Sequence, residues 1–571
     1  VKLHPSQSTL SRFDLSEAIH RIAGPWRTLL TSFLFLIGLT IWENIFFYDS
    51  YFTVFKKITK QGYEIWPVSY TINLIASNIF AFLITFVFIY ISLKLPKIMQ
   101  IVCFILFSTA TLYQYGYFYA LGRFASADDF IMLILYASDP ILIRDSTLVY
   151  FNWNALVPIT CYALLLWKGS SPKKVSATWL ILLLSVTFLF YSMIYRVWYL
   201  TQYELPSTSF SEVLRSASFT PWKWMRMYGQ EREPITYVSS QKPINNIIFI
   251  VDESIRFDHL SINGYERPTT PFLEDLAQNG LIYNWKEAVA ATTTSLSTNN
   301  LLLTGIHNLP VDSDTLARQT TIFQYAKAMG YKTHYVDASN TTFWNGTSAD
   351  LNYIDSWINA QRFESEHIYN NDIHMAEYVR DLISNSTGNF IWINKRGVHV
   401  LYNNTFPEDQ AVWQPIMQNT AYTPEYTNQI INSYDNGILY NVDGFFRTLL
   451  KDQEVLNNTT ILYTSDHGQT LAESGETWSH GKNTRNEARV PLFLISKTKY
   501  QFDLEYKAHH NNIFPTLLDL LGFPEEERRY TYDVSLFQAR SSDSHVRHYF
   551  VGALDGSGAW ELLPFDMVAS K

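Results

Sequence analysis

NIIFIVDES (246–254) holds five consecutive apolar residues between Asn246 and the acidic pair Asp252 and Glu253. The run is too short to cross a bilayer and too uniformly apolar for a strand with one wet face. It reads as a strand buried on both sides, as in a parallel sheet. The same pattern recurs in KTHYVDASN (332–340), NFIWINKRG (389–397), TTILYTSDHG (459–468) and VPLFLIS (490–496). Helical stretches fall between these runs. PFLEDLAQNG (271–280) starts on Pro and stops on Gly, and TIFQYAKAMGYKTHYVD (321–337) reads as helix, Gly stop and strand. This alternation predicts an α/β domain from 243 to 571, with a mostly parallel sheet sandwiched by helices. Polar residues gather just past the strand ends, where such sheets bind ligands.

The first third of the chain follows different rules. Stretches 29–48, 68–93, 98–121, 148–167 and 179–200 are each apolar enough and, at about 20 residues, long enough to span a ~30 Å hydrocarbon layer. The expectation is a five-helix transmembrane domain over 1–200. The first stretch starts late, lacks a small-residue cleavage site and is followed by further spans, so it is not read as a signal peptide. Lys2, Arg12, Arg21, Arg27, Lys94, Lys97, Lys168, Lys173 and Lys174 put the N-terminus and the even loops in the cytoplasm, although Lys56, Lys57 and Lys60 oppose this. An odd number of crossings then places everything after 200 outside the cytoplasm. FIMLILY (130–136) reads as an amphipathic piece lying along the membrane boundary, and Glu43 and Arg196 as residues snorkelling from span ends. Residues 201–242, with PWKWMRMYG (221–229), read as an interfacial linker.

Composition narrows the function. A net charge of -9 without any basic block argues against nucleic acid as a partner. The 16% aromatic content suits membrane-interface belts. Both cysteines, Cys103 and Cys161, lie in apolar segments, so the polar domain has no disulfide and the redox compartment is left open.

Glu253 ends the first strand of the polar domain, and Asp466 and His467 end another. Singly, each has an ordinary explanation as a helix cap or loop residue. Together they offer two carboxylates and an imidazole at one sheet edge, a donor set suited to Zn²⁺ and less well to Mn²⁺. The hydroxyl-rich run AVAATTTSLSTNN (288–300) follows a strand start at LIYNWKE and offers a nucleophile that a metal could activate. Composition does not choose among Thr292, Thr293, Thr294 and Ser295.

VDESIRFDHLSINGYERPTTPFLEDL (251–276) resembles the opening signature of bacterial phosphoethanolamine transferases of the alkaline phosphatase/sulfatase-like superfamily. INSYDNGILYNVD (431–443), SDHGQTLAESG (465–475), WSHG (478–481) and HHNNIFPTLLDLLG (509–522) extend the likeness in family order. The resemblance implies Glu253, Thr294, Asp466 and His467 as ligands of one tight Zn²⁺, with Thr294 as nucleophile by register with a TSTALS-like segment. It further implies His399 and His480 near the substrate phosphate, with room for a second metal, and Asn340 in donor binding. A lysine usual in that last segment is replaced by Trp344 or Asn345, and His399 lies in His-Val-Leu rather than His-Gly-Pro. The braces of lipid A-modifying members are absent too, with Ala290 and Asn300 where cysteines would flank the nucleophile.

The implied activity transfers phosphoethanolamine from phosphatidylethanolamine to an envelope glycan or lipopolysaccharide, by a monomeric multi-pass protein of the bacterial inner membrane with its catalytic domain in the periplasm. A phosphoglycerol transferase and a non-catalytic membrane sensor or glycan-binding protein are the rival readings.

Overall fold

The computed structural model describes residues 15–47, 82–121, 151–169, 208–214 and 230–566, the last with interruptions at 341–345, 347, 419–421, 474–483, 544–545, 553 and 556–559, plus isolated residues between 124 and 216. The chain divides into two compact units. One comprises 1–116 and 152–215, the other 117–151 and 216–571.

In the first unit, helices Leu15–Phe46, Lys97–Leu121 and Leu156–Gly169 fall on the first, third and fourth apolar stretches. Among the described residues one helix, Lys97–Tyr119, is long and apolar enough to cross a membrane, and Phe82–Ser92 is a shorter apolar helix. The fifth expected span, 179–200, most of 130–136, and half of 201–242, including 221–229, lie outside the described residues. Leu36, Ile89, Phe107, Tyr162 and Phe210 form this unit's core. Glu43 corrects the snorkelling expectation. It is fully buried, and its carboxylate accepts hydrogen bonds from the Ser209 backbone N–H at 3.0 Å and the Ser209 hydroxyl at 2.5 Å. The carboxyl group there satisfies an orphan N–H at the start of the helical segment 209–214.

The second unit is built on a seven-stranded sheet of order β2-β7-β6-β1-β5-β3-β4. Its strands are β1 (Asn246–Asp252), β2 (Ile282–Val289), β3 (Lys332–Asp337), β4 (Ser356–Ile358), β5 (Asn389–Asn394), β6 (Thr459–Ser465) and β7 (Arg489–Ile495). Only β7 runs against the others, pairing antiparallel with β2 and β6. β1, β5 and β6 are buried along nearly their whole length because alternate side chains enter two separate cores. Ile248, Ile250, Ile391, Ile393 and Ile461 enter one, and Ile247, Phe249, Val251, Trp392 and Leu462 the other. The predicted helices appear as Pro271–Gln278 and Ile322–Ala328.

β4 and a hairpin of β8 (His548–Val551) and β9 (Glu561–Pro564) had no counterpart in the sequence reading. β4 is three residues on the sheet edge, too short to show a period, and the apolar residues of β8 and β9 are separated in sequence by the Gly-rich stretch 552–559. Parallel pairing sets Val251 beside Thr464 and Asp252 beside Ser465. Glu253 and the Asp466–His467 pair therefore leave the sheet at one edge.

Candidate metal centre

The turn after β1 is held from several directions. Ser254 sits at φ +63°, a left-handed conformation costly for a residue with a Cβ. Its N–H donates to Asp466 Oδ1 at 3.0 Å, and its carbonyl accepts the Tyr434 hydroxyl at 2.6 Å. The loop after β5 lies against the same turn, the Val398 N–H donating to the Glu253 carbonyl at 3.2 Å. A Cβ at Gly397, φ +58°, would approach that carbonyl to 2.5 Å, so glycine is what lets the loop lie there. Backbone strain offset by neighbouring bonds is a common mark of a functional turn.

Glu253, Asp466 and His467 each turn one ligand atom inward, and these atoms all lie within 4.8 Å of one another. The His467 Nδ1–H donates to the Gly468 carbonyl at 2.7 Å, which puts the ring's lone pair on Nε2. Nε2 stands 3.5 Å from Glu253 Oε1 and 3.6 Å from Asp466 Oδ2. Asp466 Oδ1 takes N–H bonds from Ser254 and His467, whereas buried Asp466 Oδ2 has no hydrogen bond. Burial, and then the charge of Asp466, push the Glu253 carboxyl well above its usual range. Two carboxylates and an imidazole lone pair crowded into a buried spot repel one another unless a cation joins them. O and N donors at this spacing fit a zinc-sized ion at about 2.0–2.2 Å from each.

The hydroxyl-rich run delivers its residues unequally. Thr292 and Thr293 are buried, and the Thr292 hydroxyl is engaged with that of Thr298 at 2.8 Å. Thr294 is half-buried and extended, at the N-cap position of helix Ser295–Thr304. The next hydroxyl reaches the cluster itself. Ser295 Oγ lies 3.2 Å from Glu253 Oε2 and 3.2 Å from His467 Nε2. Sequence reasoning included Ser295 among four candidates but did not single it out, because a run of adjacent hydroxyls carries no periodicity to show which one faces inward.

His399 lies past β5, half-buried, with its Nδ1–H donating to the Val400 carbonyl at 2.6 Å. Burial, and next the charge of Arg396, lower its pKa to about 4, so the imidazole is neutral with Nε2 able to accept a proton. Asn340 follows β3, buried, with its amide N–H bonded to Asp337 and its Oδ1 without a hydrogen bond. It is not part of the ligand cluster. His480 lies outside the described residues.

Two further groups went unread in the sequence. Tyr434 holds the Ser254 turn, and Lys395, fully buried, contacts Asp252 Oδ2 at 2.5 Å directly behind Glu253. A lysine at a strand end reads as solvated from sequence alone.

Asp337 carries a pH prediction. Burial raises its carboxyl from 3.8 to about 6, against the hydrogen bonds from Asn340 and Ser339 that favour the anion. The folded state therefore holds the proton more tightly than the unfolded chain. The stability this contributes is fully present below about pH 4 and is lost as pH rises through about 6. Asp337→Asn removes the titration. The melting temperature of the variant relative to wild type should rise between about pH 4 and 6 and level off above about 7. A difference that stays constant over that window would show that Asp337 does not titrate there.

Residues 245–523 match the Sulfatase family. The chain is 27% identical over 300 residues to the Kdo(2)-lipid A phosphoethanolamine 7''-transferase of Salmonella typhimurium, covering 48% of this chain and 51% of that protein. It is 25% identical over 309 residues to the phosphatidylethanolamine transferase Mcr-2 of Escherichia coli, covering 50% and 55%. The chain thus spans about half the length of the curated relatives it matches. Among solved structures it resembles the integral membrane protein lipooligosaccharide phosphoethanolamine transferase A of Neisseria meningitidis, with a TM-score of 0.58, 15% identity, and coverage of 87% of this chain and 95% of that one. At that identity the likeness is one of fold.

Proposed function

We propose, from the premise that this chain is a member of the sulfatase family homologous to phosphoethanolamine transferases, that it is a membrane enzyme moving phosphoethanolamine from phosphatidylethanolamine to an envelope glycan or lipopolysaccharide. The observation that carries the reading is the cluster of Glu253, Asp466 and His467 set against the N-terminus of helix Ser295–Thr304. Such a terminus presents backbone N–H groups and a partial positive charge to a phosphate.

A zinc ion held by Glu253, Asp466 and His467 would supply charge to polarise a phosphodiester and to lower the pKa of a nearby hydroxyl. Thr294, half-exposed at the head of the helix, takes the role of nucleophile. Its oxygen bonds to the donor phosphorus as the bond to the diacylglycerol oxygen breaks, and diacylglycerol leaves with a proton. An acceptor oxygen then displaces Thr294 from phosphorus, and the threonine regains its proton. His399, neutral above about pH 4, accepts and returns protons, and His480 joins it in holding the phosphate or a second ion. Asn340 faces the donor. In this reading five spans over 1–200 keep the site beside a two-tailed donor that never leaves the bilayer. The linker 201–242 then hands the chain to a periplasmic domain over 243–571.

One observation favours a second assignment within the same chemistry. Ser295, not Thr294, has the hydroxyl in contact with Glu253 and His467. The experiment is to incubate zinc-loaded full-length protein with phosphatidylethanolamine vesicles and analyse its peptides by mass spectrometry. A phosphoethanolamine adduct on Thr294, formed with release of diacylglycerol and blocked by chelation, is the expected result. An adduct on Ser295 would move the nucleophile by one residue. An adduct only from phosphatidylglycerol would make the protein a phosphoglycerol transferase, and zinc binding with no adduct from either lipid would leave the sensor reading standing.

A further inference from the structure

His510 is fully enclosed, 2% exposed, and takes no part in the proposed chemistry. It lies in the turn that opens helix Ile513–Leu521, on a chain segment separate from both the ligands and the nucleophile. Its two ring nitrogens face different parts of the site. The Ala291 backbone N–H points at Nδ1 across 3.3 Å. An amide can only donate, so Nδ1 carries the lone pair and Nε2 carries the proton. Nε2 faces Thr464 Oγ1 at 3.1 Å. That hydroxyl has its own outlet, donating to the Pro491 carbonyl at 2.9 Å. Donors and acceptors along this chain are thus fully matched, which fixes both the tautomer and the ring orientation.

The two residues joined by the ring each lead directly into the site. Ala291 lies three residues before Thr294, and its carbonyl is tied to the Phe550 N–H at 2.8 Å. Thr464 lies two residues before Asp466 on β6. The backbone next to His510 adds to the anchorage, the Val289 N–H donating to the Ala508 carbonyl at 3.2 Å. Burial keeps the ring neutral, in line with the roles the hydrogen bonds demand.

We propose that His510 is a positioning residue, whose Nε2-protonated imidazole ties the nucleophile segment to the metal-bearing strand and so sets the distance between Thr294 and the ligands Asp466 and His467. The inference rests on the transferase reading and extends it to a residue that touches neither substrate nor metal. A misplacement of about 1 Å between reacting groups can cost about 100-fold in rate, so a rigid neutral tether at this point bears on kcat.

The test uses zinc-loaded full-length protein with phosphatidylethanolamine vesicles, measuring kcat and KM for transfer together with zinc content. His510→Asn keeps an acceptor for the Ala291 N–H and loses the bond to Thr464. Thr464→Val loses that same bond from the other side with little change of shape. Each is expected to lower kcat roughly 10-fold, with KM and zinc content unchanged, and the double variant should fall no further than either single one. His510→Ala loses both bonds and should fall roughly 100-fold, so the asparagine counts as partial rescue. Should His510→Ala fail to fold, the asparagine and valine variants carry the test. A kcat within about two-fold of wild type for both, multiplied losses in the double variant, or loss of zinc in place of kcat would each overturn the role of His510. Zinc-loaded wild type that transfers nothing would instead bring down the transferase reading, and this inference with it.

Discussion

Thr294→Ala is expected to abolish the covalent adduct and to lower transfer about 1,000-fold or more, while zinc content and melting temperature stay close to wild type. Three structural facts set this pattern. Thr294 heads helix Ser295–Thr304 without any side-chain capping bond, so its loss costs the helix little. The donors Glu253, Asp466 and His467 come from other segments and keep their own hydrogen bonds. Thr292, bonded to Thr298, cannot swing out to substitute without breaking a buried pair. Thr294→Ser should restore part of the rate, since a primary hydroxyl at the same position can still attack. Ser295→Ala is the necessary companion. Its hydroxyl touches Glu253 and His467, so its removal should cost about 10-fold through the ligand set and leave the adduct on Thr294. The reverse pattern, with the adduct surviving Thr294→Ala and vanishing in Ser295→Ala, would assign the attack to Ser295.

Those two adjacent residues mark where sequence reading stops. β1, β5 and β6 were legible because strands buried on both faces need unbroken apolar runs, and no other short element in a polar domain does. Parallel order then placed Glu253 and Asp466–His467 at one edge, since their side chains follow directly on paired strand ends. Side-chain facing within TTTS (292–295) was not legible. At a helix start one residue's step turns a hydroxyl by about 100°, and four hydroxyl-bearing residues in a row give no contrast to mark the turn. Glu43, Lys395 and His510 were missed for one shared reason. Each is a polar group made tolerable inside the fold by a partner distant in sequence, Ser209 for Glu43, Asp252 for Lys395 and Ala291 with Thr464 for His510. Sequence spacing carries no record of such pairings, and the default for a polar side chain is exposure.

Lys395→Met is expected to destabilise the α/β domain by about 3–5 kcal/mol and to lower its unfolding midpoint by roughly 6–10 °C. The side chains of Lys395 and Asp252 are both fully buried, with Nζ 2.5 Å from Asp252 Oδ2, 2.8 Å from the Asn441 carbonyl and 3.9 Å from Asp372 Oδ2. Nζ also lies 4.7 Å from the centre of the Phe445 ring. Methionine fills similar space but leaves two carboxylates facing each other in the interior. Asp372 is already raised to about 6 by burial, although the charge of Lys395 holds it down, so the variant drives it further toward the neutral acid. The Tyr463 hydroxyl, donating to Asp252 Oδ2 at 2.8 Å, offsets only part of the loss. If the cost comes from an uncompensated charge rather than from lost packing, Asp252→Asn should recover stability in the methionine background while destabilising the wild type. Packing alone would make the two substitutions additive. The damage should also reach the metal, because Asp252 Oδ1 receives the Glu253 N–H at 3.0 Å and so helps aim that ligand. Weaker zinc binding in Lys395→Met, restored alongside stability by Asp252→Asn, would tie the buried pair to the site. A methionine variant melting within about 2 °C of wild type would mean that the pair bears little of the domain's stability.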